Sequence, residues 1–334
     1  MNGPLNLIDS IVTNEMEKAA PRRHEECYID IFQPISEREK ALVSIGGTDA
    51  IFRSDITVIC GGEGVGKTAF LRPIIAACLG EREVLGITAE PGLRLHVHDT
   101  EQDITDIIPG IDGALRLAGI PREKNEDLEK RLIVTTTRRK NRDDVEEIFT
   151  EIVEDNKSDI IILDGIGDLI LDVNDIPSVN RLVGRMLSIV DTYNVSLICI
   201  LHTNPTDPTG KVRGNLGSEL MRKAKCIILL SYDENNNCFK VSCKKARRKR
   251  FSPFYFTRDD SGQVITVEAP TPKERTMNTR DRIYLAMEPA KTYDYETLYQ
   301  LFTDVDRSTV RHNVGELLKD SRITTPAKGK FMIK

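Results

Sequence analysis

The stretch ITVICGGEGVGKTAFLRPIIAACL (56–79) restricts this chain more than any other part of it. An apolar run of strand character leads into a glycine-rich octet, GGEGVGKT (61–68), which opens directly onto a run with helical spacing. The octet fits G-x-x-x-x-G-K-[ST], and the strand before it and helix after it are the context which that pattern requires. Gly61, Gly64 and Gly66 let backbone N–H groups curl round phosphate oxygens with no Cβ in the way; Gly62, Glu63 and Val65 complete the loop. Lys67 is expected to reach the β- and γ-phosphates of a nucleotide, and the Thr68 hydroxyl to ligate Mg²⁺. The helix N-terminus adds its partial positive charge.

The flanking sequence supplies a sheet for such a loop. Strand-length apolar runs recur at ITVIC (56–60), RLHVHD (94–99), RLIVTT (131–136), DIIILD (159–164), SLICILH (196–202), AKCIILLS (224–231), FKVSC (239–243) and QVITV (263–267). Several are continuous Val/Ile/Leu runs, as in strands covered on both faces of a largely parallel sheet. Amphipathic helical stretches lie between them, for example 143–155 and 178–193, and this alternation predicts an α/β fold with a mostly parallel twisted sheet. The last strands follow one another without helices and predict an antiparallel edge. DIIILD ends in Asp164 at the carboxyl edge of its strand, where sheet ligands sit, making Asp164 the second expected magnesium ligand.

At 334 residues the chain can hold one sizeable domain and a smaller one. A net charge of −5 argues against wholesale coating of nucleic acid, so any such contact must come from local basic patches. No apolar run approaches the roughly 18–20 residues of a membrane span, the start lacks the order of a secretion signal, and no membrane partner is expected. The seven cysteines show no CxxC pairing, and Cys60, Cys199 and Cys226 fall inside apolar strands, which suits free thiols in a reducing cytoplasm.

The expected organisation is a flexible arm over 1–40, an ATPase-type domain over 41–268, a Pro- and Thr-rich linker over 269–280 and a small domain over 281–334. In the last, RDRIYLAME, YETLYQLFT and STVRHNVGELLKD have helical spacing, and RITTPAKGKFMIK reads as two strands around a turn. Three helices and a hairpin suggest a winged helix, with Arg307, Arg311 and His312 as candidates for DNA contact or, equally, for packing.

Hydrolysis needs a group that polarises water opposite the γ-phosphate. HVHDTEQ (96–102), at the end of the strand after the phosphate-loop helix, offers Asp99, Glu101 and Gln102. The order of phosphate loop, strand ending in D-x-E, apolar strand ending in Asp164, and strand ending in LHTN resembles the RecA-like P-loop ATPases of the plasmid RepA hexameric-helicase type. It resembles more closely the helicases of mobile elements in Bacteroides-like bacteria. The resemblance spans about 41–268. It implies that Glu101 is the catalytic base and that His202 senses the γ-phosphate. It also implies MgATP as substrate and a homo-oligomeric ring, hexameric in that family, acting on DNA with a replication or transposition protein as partner.

The same resemblance implies that loops 165–179 and 203–220 line the ring channel. Lys211 and Arg213 in the second loop suit electrostatic contact with a single strand. CKKARRKR (243–250) carries six cations in eight positions. Its Lys245-Ala246-Arg247 matches the family's K-x-R pair, which reaches a neighbour's γ-phosphate. Arg248, Lys249 and Arg250 exceed that need and are either a nucleic-acid contact or a solvated hairpin tip. Two rivals to the helicase stand beside it. One is a regulatory ATPase that assembles on DNA and recruits a transposase, relaxase or primase without unwinding. The other is a DNA-binding switch with negligible turnover.

Overall fold

In the computed structural model, residues 41–204, 210–270 and 278–334 are described. The expected N-terminal arm, residues 205–209 of the expected channel loop and residues 271–277 of the expected linker lie outside them. The described chain divides into two units. The first runs through Tyr232 and includes Phe239–Pro253 and Arg258–Ile265; the second comprises Asp233–Cys238, Phe254–Thr257 and Thr266–Lys334.

The first unit opens with β1 (Val43–Ile45) and β2 (Thr48–Ile51), an antiparallel pair turning at Gly46-Gly47. Next come β3 (Ile56–Gly61), α1 (Lys67–Gly80), β4 (Ile87–Ala89), β5 (Leu95–Asp99), α2 (Ile104–Ala118) and α3 (Glu126–Arg131). They are followed by β6 (Leu132–Thr136), α4 (Val145–Asp155), β7 (Ile160–Asp164), α5 (Ile176–Thr192), β8 (Ser196–His202) and α6 (Gly214–Lys223). β9 (Cys226–Asp233), β10 (Cys238–Ala246), β11 (Phe254–Arg258) and β12 (Val264–Val267) then succeed one another with no helix between them. β1 pairs with β4 as well as with β2, making a small separate sheet that the periodicity does not announce. Segments as short as VSI and ITA carry too few alternations to be read as strands.

The main sheet runs in the order β10-β9-β3-β8-β7-β5-β6. β3 is parallel to both β8 and β9, β7 to β8 and β5, and β5 to β6. Strand alternation divides its residues between two helical layers. Ile56, Val58 and Cys60 of β3, Ile161 and Leu163 of β7, and Leu197, Cys199 and Leu201 of β8 join one core. That core also holds Phe149 of α4, Leu182 and Met186 of α5, and Leu216 and Leu220 of α6. α1 packs against α2 and, more lightly, against β3 and β4. Asp103 caps α2 and Asp175 caps α5, so both helices start where a side-chain oxygen takes up an orphan N–H.

In the second unit α7 (Thr279–Ala286), α8 (Tyr295–Leu301) and α9 (Arg307–Lys319) precede the antiparallel pair β13 (Ile323–Ala327) and β14 (Lys330–Ile333). Each helix begins at a side-chain cap, Asn278, Asp294 and Asp306 in turn. Its core is its own: Ile283, Leu298, Phe302, Val310, Val314, Leu317 and Phe331 are all buried in one cluster. Tyr293 exchanges two backbone hydrogen bonds with Phe331, of 2.8 and 2.7 Å. Among the described residues no helix is long and apolar enough to cross a membrane.

Candidate nucleotide-binding site

Parallel strands in register bring their carboxyl ends to one rim, and here the register is explicit. Gly61 of β3 pairs with His202 of β8, Asp164 of β7 with Ile200 of β8, and Asp99 of β5 with Asp164. Four strands thus deliver the phosphate loop, the candidate sensor, the candidate metal ligand and the turn carrying Glu101 to neighbouring positions. Gly64, Gly66, Lys67, Thr68, Glu101, Gln102, Asp164, His202 and Arg258 line one cleft of about 270 Å³.

The loop reaches α1 through Gly66, whose φ of 80° belongs to the left-handed region. A Cβ there would also lie 2.8 Å from the Phe239 ring, so both conformation and space demand glycine. The Lys67 ammonium donates to Gly61 O at 3.2 Å and Gly62 O at 2.7 Å, and lies 3.3 Å from His202 Nδ1. Burial holds the Lys67 pKa below the usual ammonium range, while Asp164, Glu101 and Glu63 oppose that shift. The His202 imidazole is likewise held low, by burial first and then by Lys67.

The acidic side of the cleft is short of positive charge. Burial, then Asp99 and Glu101, push the Asp164 carboxyl up to about 7, with only Lys67 acting against them. Glu101 is raised by desolvation, then by Asp168 and Asp99. Carboxylates crowded in this way suit a divalent cation, which Asp164 and Thr68 would hold.

Glu101 is positioned by residues that the sequence reading left unassigned. The Asp99 carboxylate accepts hydrogen bonds from the Glu101 N–H at 2.9 Å and the Gln102 N–H at 2.7 Å, and from the Gln102 side chain at 2.6 Å. Asp99 therefore shapes the turn that presents Glu101. The Thr100 hydroxyl fastens the same turn to β7, lying 2.8 Å from Asp168 Oδ2 and 3.0 Å from Gly165 O. Gly165, at φ 94°, leaves room for it: a Cβ there would sit 1.8 Å from Thr100 Oγ1. The Asp99 turn is local, since an Asp capping the N–H groups two and three residues on is a recognisable pattern. The Thr100 contacts with Gly165 and Asp168 arise only from the tertiary pairing of β5 with β7, for which sequence spacing holds no signal.

The remaining expected site residues fall in several places. The Arg213 N–H donates to His202 O at 3.1 Å, and its side chain lines a second cavity with Glu63, Glu101 and His202. Lys211 O accepts from Asn204 N at 2.8 Å. The segment expected as a long mobile loop is helical from Gly214 onward, because Leu216 and Leu220 bury one face of α6 in the core. Lys245 Nζ donates to Met221 O at 2.9 Å and Arg222 O at 3.0 Å, and Arg247 reaches Lys223 O at 3.5 Å. In this chain both cations sit on the carbonyls that end α6, a favourable place for positive charge. In the second unit Arg311 Nε bonds the Tyr299 hydroxyl and Arg307 lies over the Tyr299 ring at 4.9 Å. Arg258, which no motif marks, lines the nucleotide cleft.

No family model matches the chain, and no curated protein matches it. Among solved structures, the KaiC-like protein of the hyperthermophilic archaeon Pyrococcus horikoshii superposes over 69% of this chain and 99% of its own, with a TM-score of 0.50 and 17% identity. The RadB recombinase gives a TM-score of 0.46 at 18% identity over 66% of this chain and 94% of its own. The flagellar accessory protein FlaH of Methanocaldococcus jannaschii gives 0.48 at 15% identity over 67% and 93%. The first of these establishes a shared fold: an α/β, RecA-like P-loop core with a mostly parallel sheet.

Proposed function

We propose that this chain is a magnesium-dependent ATPase that assembles into oligomers and works on DNA. The observation that carries the reading is the strand register which puts Lys67, Thr68, Asp164, Glu101 and His202 around one cleft. The loop N–H groups and Lys67 bind the phosphates. Thr68 and Asp164 would hold magnesium, which would supply positive charge to the phosphate oxygens. Glu101, held by Asp99 and with its pKa raised by burial and the nearby Asp168 and Asp99 charges, takes the proton of the attacking water. His202, beside Lys67, links the occupancy of the phosphate end to β8 and to the segment that follows it.

Within that class the motif order favours a helicase of the RepA type, with the 203–220 segment contacting the strand through Lys211 and Arg213. The helices and hairpin of the second unit support a winged helix presenting Arg307 and Arg311. For Lys245 and Arg247 to act on a neighbour's phosphate they must leave the α6 carbonyls, which ties hydrolysis to assembly. One observation favours the second reading, a regulatory ATPase that assembles on DNA without unwinding: α6 takes up 214–220 of the expected channel loop and shortens the part left to move with a strand.

A strand-displacement assay with MgATP separates the two. Single-stranded DNA is expected to raise turnover per subunit in either case, and only the helicase separates a forked duplex. Turnover indifferent to DNA and to protein concentration contradicts both.

A further inference from the structure

We infer that Arg258 is a nucleotide-binding residue supplied by the same chain, gripping the diphosphate part of the bound nucleotide from the end of β11, where the turn to β12 begins. The inference rests on the nucleotide-binding reading of the cleft and adds to it a residue that neither the phosphate-loop pattern nor the family resemblance indicates.

The first observation is placement. Among the cleft residues Arg258 alone comes from outside the phosphate loop, α1 and the ends or following turns of β5, β7 and β8. Its guanidinium lies over the Phe239 ring, 5.6 Å from the centroid. That same ring packs against Gly66, so Arg258 is set beside the Gly66 end of the loop. Loop N–H groups at this end cradle the α- and β-phosphates, whereas Lys67, Glu101 and His202 gather at the γ end.

The second observation is that the turn carrying Arg258 is anchored. Asp259 Oδ1 accepts from Ser261 N, Ser261 Oγ and Gln263 N, closing the turn on itself. Arg72, one helical turn beyond Thr68 on α1, then donates to Gly262 O at 3.1 Å. The phosphate-loop helix thereby holds the turn, and Arg258 with it, at a fixed place relative to the loop.

The third observation is charge. Among the described residues the Arg258 guanidinium makes no ion pair and no hydrogen bond, its contact being the Phe239 ring. Arg72 nearby is held below the usual guanidinium pKa by burial and then by Arg258 and Arg116. Arg116 is neutralised by Asp112 at 2.8 Å, whereas the Arg258 guanidinium, beside the Gly66 end of the phosphate cradle, has no acid paired with it among the described residues, and a guanidinium fork suits phosphate oxygens.

Titration calorimetry of the full chain with MgADP and with a magnesium-bound non-hydrolysable ATP analogue tests this. Arg258→Ala is expected to weaken both ligands by the same factor, about tenfold to a hundredfold, with Arg258→Lys between it and the parent. Unchanged melting of the ligand-free variants shows that the fold is kept; if the alanine variant fails that check, Arg258→Gln takes its place. Unaltered affinity for both nucleotides overturns the assignment while leaving the cleft reading intact, provided Lys67→Ala abolishes binding. A loss confined to the triphosphate analogue also overturns it, by placing Arg258 at the γ end. If the parent chain binds neither nucleotide, the cleft reading falls and Arg258 with it.

Discussion

The Lys67 ammonium lies 3.3 Å from His202 Nδ1 while it donates to the carbonyls of Gly61 and Gly62. Burial and then the neighbouring Lys67 cation hold the His202 pKa low, and in the proposed reading both groups face the γ-phosphate. In that reading His202 follows the phosphate by exchanging its partner, and His202 O, which accepts from the Arg213 N–H at 3.1 Å, passes the change to the following segment.

His202→Ala is expected to keep nucleotide affinity within about threefold, because Lys67 retains its two carbonyls, and to uncouple DNA affinity from the nucleotide present. DNA binding measured by anisotropy with ADP and with a non-hydrolysable ATP analogue should differ in the parent and coincide in the variant. A variant that still distinguishes the two nucleotides removes His202 from the coupling.

Gly165 and Thr100 fit one against the other. Gly165→Ala forces a left-handed φ of 94° on alanine and drives its Cβ into the Thr100 hydroxyl. A loss of about 3 kcal/mol is expected, combining backbone strain with overpacking, together with reduced turnover because the turn bearing Glu101 shifts. Urea unfolding gives the first quantity and steady-state hydrolysis the second.

The imidazoles of His96 and His98 share the Thr135 hydroxyl at 2.6 and 2.8 Å, deep in the sheet and both fully buried. Burial lowers His96 to about 4, and burial with the His96 charge lowers His98 to about 3. Unfolded, each titrates near 6.5. The unfolded chain thus binds protons first as the pH falls, so stability is complete above about 6.5 and declines toward 4. Between pH 7 and 4.5 the parent should lose about 2–5 kcal/mol more than a His96→Gln/His98→Gln double variant. Equal acid sensitivity of the two proteins contradicts this origin.

The phosphate loop, Asp164 and the strands of the main sheet are legible in the sequence because each is a local pattern: a spacing of glycines, or an apolar run ended by a polar residue. The Thr100–Gly165 fit and the place of Arg258 are not, since each depends on which strand lies beside which; Asp99 as the shaper of the Glu101 turn rests on a local turn pattern that the sequence does contain. The small sheet of β1, β2 and β4 escapes notice for a different reason, the shortness of its strands. Composition misleads at 203–220. Its Gly, Pro and Asn content reads as one loop, yet Leu216 and Leu220, four residues apart, bury the face that makes α6 a helix.

The most direct measurement is steady-state MgATP turnover by the parent chain and by Glu101→Gln, with nucleotide affinity determined alongside. The account predicts measurable turnover in the parent, a fall of about a hundredfold or more in the variant, and affinities that agree within a few-fold. Turnover that survives in Glu101→Gln, or nucleotide binding without turnover in the parent, contradicts it.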